Sequence, residues 1–92
     1  GFQKLSFAKY QYPVFSENSG TVRSIDNRKL AMLAKLSGAP KFAKAGVDFL
    51  SPLGTRIDKG QTLYVIHSES EGQLQYALDY LTQNKNILSI EV

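Results

Sequence analysis

His67 is the sole histidine of the chain and closes an apolar run beginning at Thr62. An imidazole serves as general base or metal ligand when a partner orients it or completes the site. Glu69 lies two residues on, and Asp48 is a second carboxylate that folding brings within range, yet no spacing sets either against the ring. The simpler reading is a histidine bonded to backbone at a strand end. None of the serines stands in a nucleophile-elbow setting, and without a base a hydroxyl is a weak nucleophile. Asp26, Asp48, Asp58 and Glu69 read as helix caps or turn residues, and no pair has a spacing diagnostic of acid and base work. Cysteine is absent, which removes disulfides, thiolate chemistry and Cys-based zinc sites together. The residues therefore predict no catalytic, no cofactor-binding and no metal site.

The remaining candidate is the run Gly38-Ala39-Pro40-Lys41-Phe42-Ala43-Lys44-Ala45-Gly46. Its terminal glycines let backbone come close to another surface, and Lys41 and Lys44 offer charge to an anion. The Gly-Lys-Ser/Thr ending of a phosphate loop is missing. Two readings stand side by side. One is a helix stop followed by a solvated connection; the other is a contact with a partner domain, since Phe42 is an odd residue to leave in a solvated turn.

The elements that position these residues follow from periodicity. Tyr10 to Phe15 alternates Tyr10, Tyr12 and Val14 against Gln11, Pro13 and Phe15, the period of a strand, and Pro13 assigns it to an edge. Glu17 to Gly20 is a turn and Thr21 to Ile25 is β-rich, so the two runs are expected to pair as a hairpin. Asp26 or Asn27 caps a helix over Arg28 to Ser37, which Gly38 stops and Pro40 keeps from resuming. Leu30, Met32, Leu33, Ala34 and Leu36 cover most of its circumference, as in a helix wedged between two neighbours. Gly46 to Leu50 is a short strand, Lys59-Gly60 a tight turn and Thr62 to His67 the strongest strand. Ser70 caps a second helix reaching about Asn84, with Leu74, Ala77, Leu78 and Leu81 in one stripe and Tyr76 and Tyr80 beside it. Ile87 to Val92 closes the chain with Leu88, Ile90 and Val92 on one face. This mixed order predicts an α+β domain with two helices and five to six strands.

Composition bounds the partners. Ninety-two residues make a single domain, 1–92, near the small end of what folds alone, so docking on a neighbour would add needed stability. Eleven basic against eight acidic residues give +3, scattered along the chain, which argues against nucleic acid. No stretch approaches the ~20 apolar residues of a membrane span, so no membrane partner is expected and a cytoplasmic home fits. The chain opens on Gly1 and its only methionine is Met32, which reads as a piece cut from a longer protein.

The blocks Gly20-Thr21-Val22-Arg23-Ser24-Ile25-Asp26-Asn27-Arg28-Lys29-Leu30, Ser37 to Lys41, Ala45-Gly46-Val47-Asp48 and Gly54 to Ser70, in this order, resemble the C-terminal domain of thymidine and pyrimidine nucleoside phosphorylases. The Gly-Ala-Pro-Lys loop and the Ser-Glu-Ser after His67 look closer to the branch that includes the AMP phosphorylases than to the common bacterial form, which has Gly-Ala-Gly-Arg. The resemblance covers about Ser19 to Leu81. It implies an α/β-hammerhead, barrel-sandwich-like module packed on a preceding α/β domain of a homodimeric or larger enzyme. That enzyme is a pentosyltransferase of pyrimidine metabolism, in which phosphate displaces the base of a nucleoside or nucleotide to give a sugar 1-phosphate. Catalytic and phosphate-binding residues belong to the preceding domains, so the isolated chain is expected to be inactive. Gly38, Ala39, Pro40 and Lys41 fall on the family's interdomain loop; with Phe42 and Lys44 they are expected to help set domain closure.

A rival comes from another class. Gly54 to Ser68 also looks like half of a biotinyl or lipoyl carrier, whose hairpin bears a modifiable lysine. His67-Ser68-Glu69-Ser70 fills that place, and Lys59 and Lys85 lie outside it. What survives of this reading is a non-enzymatic barrel that binds a ligand or partner.

Overall fold

A computed structural model of the chain describes residues 9–39 and 46–92. Strand β5 (Thr62–Ser68) is the centre of one antiparallel sheet, flanked by β1 (Tyr10–Phe15) and β3 (Gly46–Phe49). Its period-two pattern puts Tyr64, Ile66 and Ser68 on a buried face, and the register sets Val14, Tyr12 and Tyr10 of β1 against them. Pro13 lies opposite Val65 in an edge strand, where its missing N–H costs no ladder bond to a further neighbour.

The second sheet has the order β4 (Arg56–Ile57), β2 (Gly20–Ile25), β6 (Leu88–Glu91), again antiparallel. Helix α1 (Asn27–Leu36) packs on β3 and on α2 (Glu71–Gln83), which in turn covers β5. Val22, Leu33, Ile57, Tyr64, Ile66, Ala77 and Ile87 form the core shared by both sheets and both helices. Full burial of side chains such as Leu33 or Ile66 contributes about 1.5–3 kcal/mol each. The two helices and six strands among the described residues make the expected α+β domain.

Both helix starts are as the sequence predicts. The Asp26 carboxylate accepts from the amides of Arg28 and Lys29, each at 3.1 Å, and the Ser70 hydroxyl accepts from the Gln73 amide at 3.1 Å.

The expected hairpin of β1 and β2 does not form; the two strands lie in different sheets. The turn between them is claimed by the 59–61 segment instead. The Ser16 amide donates to Gln61 O at 2.8 Å, the Gly60 amide donates to Ser16 O at 2.8 Å, and the Lys59 amide donates to Ser19 Oγ at 2.8 Å. Pairing with the seven-residue β5 sets Val14 opposite Tyr64 and against the core, and Tyr12, still 43% exposed, opposite Ile66. Two further expectations are narrowed. Helix α1 buries only Leu33 completely and leaves Met32 41% exposed, because its neighbours cover one side. Val92 lies past the end of β6 and is 94% exposed, so Leu88 and Ile90 alone serve the core.

Strands β2 and β6 touch most closely at Gly20, where a Cβ would strike the Glu91 carbonyl oxygen and lie 2.9 Å from Ile90 Cγ2. Gly20→Ala is expected to destabilise the domain by about 1–3 kcal/mol, the usual cost of overpacking, read as a lower denaturant midpoint with an unchanged m-value.

Candidate functional site

The C-terminal end of β5 lies beside both described ends of the sequence-predicted loop. His67 lies opposite Gln11 of β1 and Gly46 of β3, half-buried, and its ring makes no side-chain hydrogen bond among the described residues. Asp48 is one pleat away, opposite Val65, and Glu69 follows Ser68 with one carboxylate oxygen, Oε2, buried and without a donor among the described residues. No three His, Asp or Glu side chains among those residues are arranged to hold a metal ion. The carboxylates that do have partners serve local structure: Asp26 caps α1, and Asp58 lies 3.9 Å from Arg56 beside the turn that Gly60 makes at φ +88°.

Of the candidate loop residues, Gly38 and Ala39 are described; Pro40, Lys41, Phe42 and Lys44 lie outside the described residues. Gly38 takes φ +123° immediately after the α1 cap at Ser37. Its amide donates to Lys35 O and the Ala39 amide to Ala34 O, both at 3.1 Å, the paired bonds of a Schellman stop. At the other end Gly46, at φ +133°, pairs with His67, and a Cβ built on it would lie 3.7 Å from Ala39 Cβ. The two ends of the connection therefore meet.

Four buried serines bond backbone carbonyls instead of acting as nucleophiles. Ser68 Oγ donates to Ser37 O at 2.8 Å, with Ser70 O a longer second acceptor at 3.1 Å. Ser37 Oγ donates to Ala34 O at 2.7 Å, Ser51 Oγ to Leu63 O at 2.9 Å, and Ser16 Oγ to Asn18 O at 2.6 Å. The sequence carried a signal for Ser68: it continues the alternation that buries Tyr64 and Ile66. Ser68 and Ser16 supply donors to carbonyls at segment ends, whereas Ser37 and Ser51 add a second bond to carbonyls that already accept from the Ala39 and Leu50 amides. The arrangement ties segments together and offers no base to activate any of the four.

The path from β5 through Ser68 to Ser70 leads directly into α2, so the lysine-bearing hairpin of a biotinyl or lipoyl carrier has no counterpart. The match to known families agrees with the architecture: the model described as pyrimidine nucleoside phosphorylase C-terminal domain matches residues 21–88. The chain belongs to that family. Its relatives include proteins named "Putative thymidine phosphorylase" from Legionella pneumophila strain Paris, 48% identical over 88 residues, and from Maricaulis maris, 44% identical over 91 residues. A third, from Hahella chejuensis, is 41% identical over 91 residues. These alignments cover 96–99% of this chain but only 17–18% of the relatives, so this phosphorylase domain corresponds to a small part of their length. No helix among its described residues is long and apolar enough to cross a membrane.

At the opposite end of β5, a groove of about 510 Å³ runs between β1, the end of α2 and β6, lined by Tyr12, Val14, Tyr64, Leu81, Lys85 and Ile90. Burial pushes the Tyr64 hydroxyl up from 10.0 to about 12, and its ring stacks on Phe49 with centroids 6.3 Å apart. The neutral phenol is thus favoured in the fold: that contribution is complete below pH 10 and is lost as pH rises from 10 to 12. Chemical denaturation between pH 8 and pH 12 is expected to show stability falling across that window, and Tyr64→Phe to flatten the fall.

Proposed function

We propose that this chain is the non-catalytic C-terminal domain of a pyrimidine nucleoside phosphorylase of the thymidine type. The observation that carries the reading is the family match over residues 21–88, reinforced by relatives that align over nearly all of the chain. In the intact enzyme, phosphate displaces the base of the nucleoside, releasing free base and a pentose 1-phosphate. The groups that bind phosphate and nucleoside belong to a preceding α/β domain, on which this module packs. The enzyme works in the cytoplasm as a homodimer or larger assembly. The buried serine hydroxyls bond backbone carbonyls and Asp26 and Ser70 cap helices, which supports a division of labour in which this domain contributes shape and a surface.

Gly38, Ala39, Pro40, Lys41, Phe42 and Lys44 form the interdomain loop in this reading. The nearness of Ala39 and Gly46 at the two described ends of the run supports it. Lys41 supplies a cation and Phe42 an apolar anchor, and together they bias the closed arrangement of the two domains. Gly-Ala-Pro-Lys and Ser-Glu-Ser also favour a second substrate, a nucleoside monophosphate such as AMP.

Two measurements test the proposal. The 92-residue chain, incubated with phosphate and thymidine, uridine or AMP, is expected to release no base; release by the pure domain overturns the assignment. In the longer phosphorylase, Lys41→Ala and Phe42→Ala are each expected to lower kcat/KM about tenfold, or ~1.4 kcal/mol, without a matching loss of thermal stability. Early melting in both, with kinetics that follow the unfolded fraction, removes the loop from the mechanism.

A further inference from the structure

We propose that the outer face of the α1–α2 layer is a self-complementary docking surface, on which a second copy of this chain sets its basic α1 over the acidic α2 and its α2 over α1. The inference rests on the charges of the two helices and not on the interdomain-loop reading, so the two stand or fall separately.

The neighbouring helices carry charge of opposite sign. Between Asn27 and Leu36, α1 has Arg28, Lys29 and Lys35 and no acidic residue; between Glu71 and Gln83, α2 has Glu71 and Asp79 and no basic one. The helices pack on each other, yet none of these five charges makes an ion pair among the described residues, where the pairs are Arg23–Glu91 and Arg56–Asp58.

Helical spacing turns both sets outward. At about 100° per residue, Arg28 and Lys35 fall within about 20° of each other on the side of α1 opposite the buried Leu33, with the exposed Ala31 and Met32 to either side. Glu71, Gln75 and Asp79 follow at single-turn intervals on the side of α2 opposite the buried Ala77. The Gln75 amide donates to Asp79 Oδ1 at 3.0 Å, which orients that carboxylate. A rise of about 1.5 Å per residue separates Arg28 from Lys35 by about 10 Å and Glu71 from Asp79 by about 12 Å, so the two charge rows match in length. Met32 and Tyr76, 41% and 66% exposed, are the large apolar side chains the two helices leave in water.

A twofold axis lying between α1 and α2, in the plane of the contact, brings each helix onto the other's counterpart, so one patch serves both copies and the contact closes as a dimer. Two helices of like charge would repel in that arrangement; a basic and an acidic one attract. With helices about 15 and 20 Å long set about 8–10 Å apart, the face is at the small end of specific interfaces. A contact of that size, held by exposed charges, is micromolar and salt-sensitive.

The experiment measures mass against concentration for the 92-residue chain by sedimentation, with circular dichroism to establish that each variant is folded. The native chain is expected to pass from one 10.2 kDa copy toward two between about 1 and 500 µM, with Kd rising about tenfold from about 0.05 to 0.5 M salt. Arg28→Glu with Lys35→Glu, and separately Glu71→Lys with Asp79→Lys, are each expected to stay single at the highest concentration. Mixed one to one, these two variants are expected to dimerise with about the native Kd, because each then meets the opposite charge in both halves of the contact. Lys35→Glu and Asp79→Lys alone stand in for any pair that does not fold. Folded variants that stay apart on mixing, a native chain that stays single throughout, or a native dimer indifferent to both reversals overturns the proposal. In the longer phosphorylase the same reversals are expected to lower the mass of the assembly; an unchanged mass there gives the face to the preceding domain and overturns it as well.

Discussion

A buried hydroxyl at the end of β5 meets the C-cap carbonyl of α1, thirty-one residues earlier, and lies beside the N-cap of α2, so the ends of three elements are tied at one point. Remove that donor and a carbonyl with no access to water is left unpaired, at a cost of about 1–3 kcal/mol. Much of the fold depends on the same constraint. Among the described residues β5 is the only strand paired with β1 and with β3, and α2 packs along it, so whatever fixes the ends of β5 fixes the layers around it.

The other end of β5 obeys the same logic with different groups. Ser51 donates to Leu63 O, the Leu50 amide reaches the same carbonyl at 3.0 Å, and the Ser16 corner is locked by the amide of Gly60. A small domain has little apolar area to spare, and these bonds let it bury irregular backbone without leaving polar groups orphaned. Among the described residues, one edge strand of each sheet, β1 and β6, lines the same groove.

The described polar side chains of this family member share a common use. Its polar side chains are spent on backbone: Asp26 and Ser70 cap helices, and Ser16, Ser37, Ser51 and Ser68 satisfy turns and ends. His67 sits in a ladder with Gln11 and Gly46 across from it, positions that give it neighbours and no acid or base partner. A histidine and two carboxylates close in sequence are not a site until a fold turns them toward one another.

Local rules were enough to read both helices, their caps, the edge character of β1 and the strength of β5, because each depends on residues within one or two turns: Asp26, Gly38, Pro13, Ser70 and the alternation from Thr62 to Ser68. The ordered blocks from Gly20 to Ser70 also carried the family. What the sequence left undecided was pairing. Whether β1 joins β2 or β5 turns on which partner brings Val14 against the core, and whether Ser68 is a surface hydroxyl or a tie depends on a carbonyl thirty-one residues away. Such contacts cost loop entropy before they yield any burial, so only the assembled core selects among them.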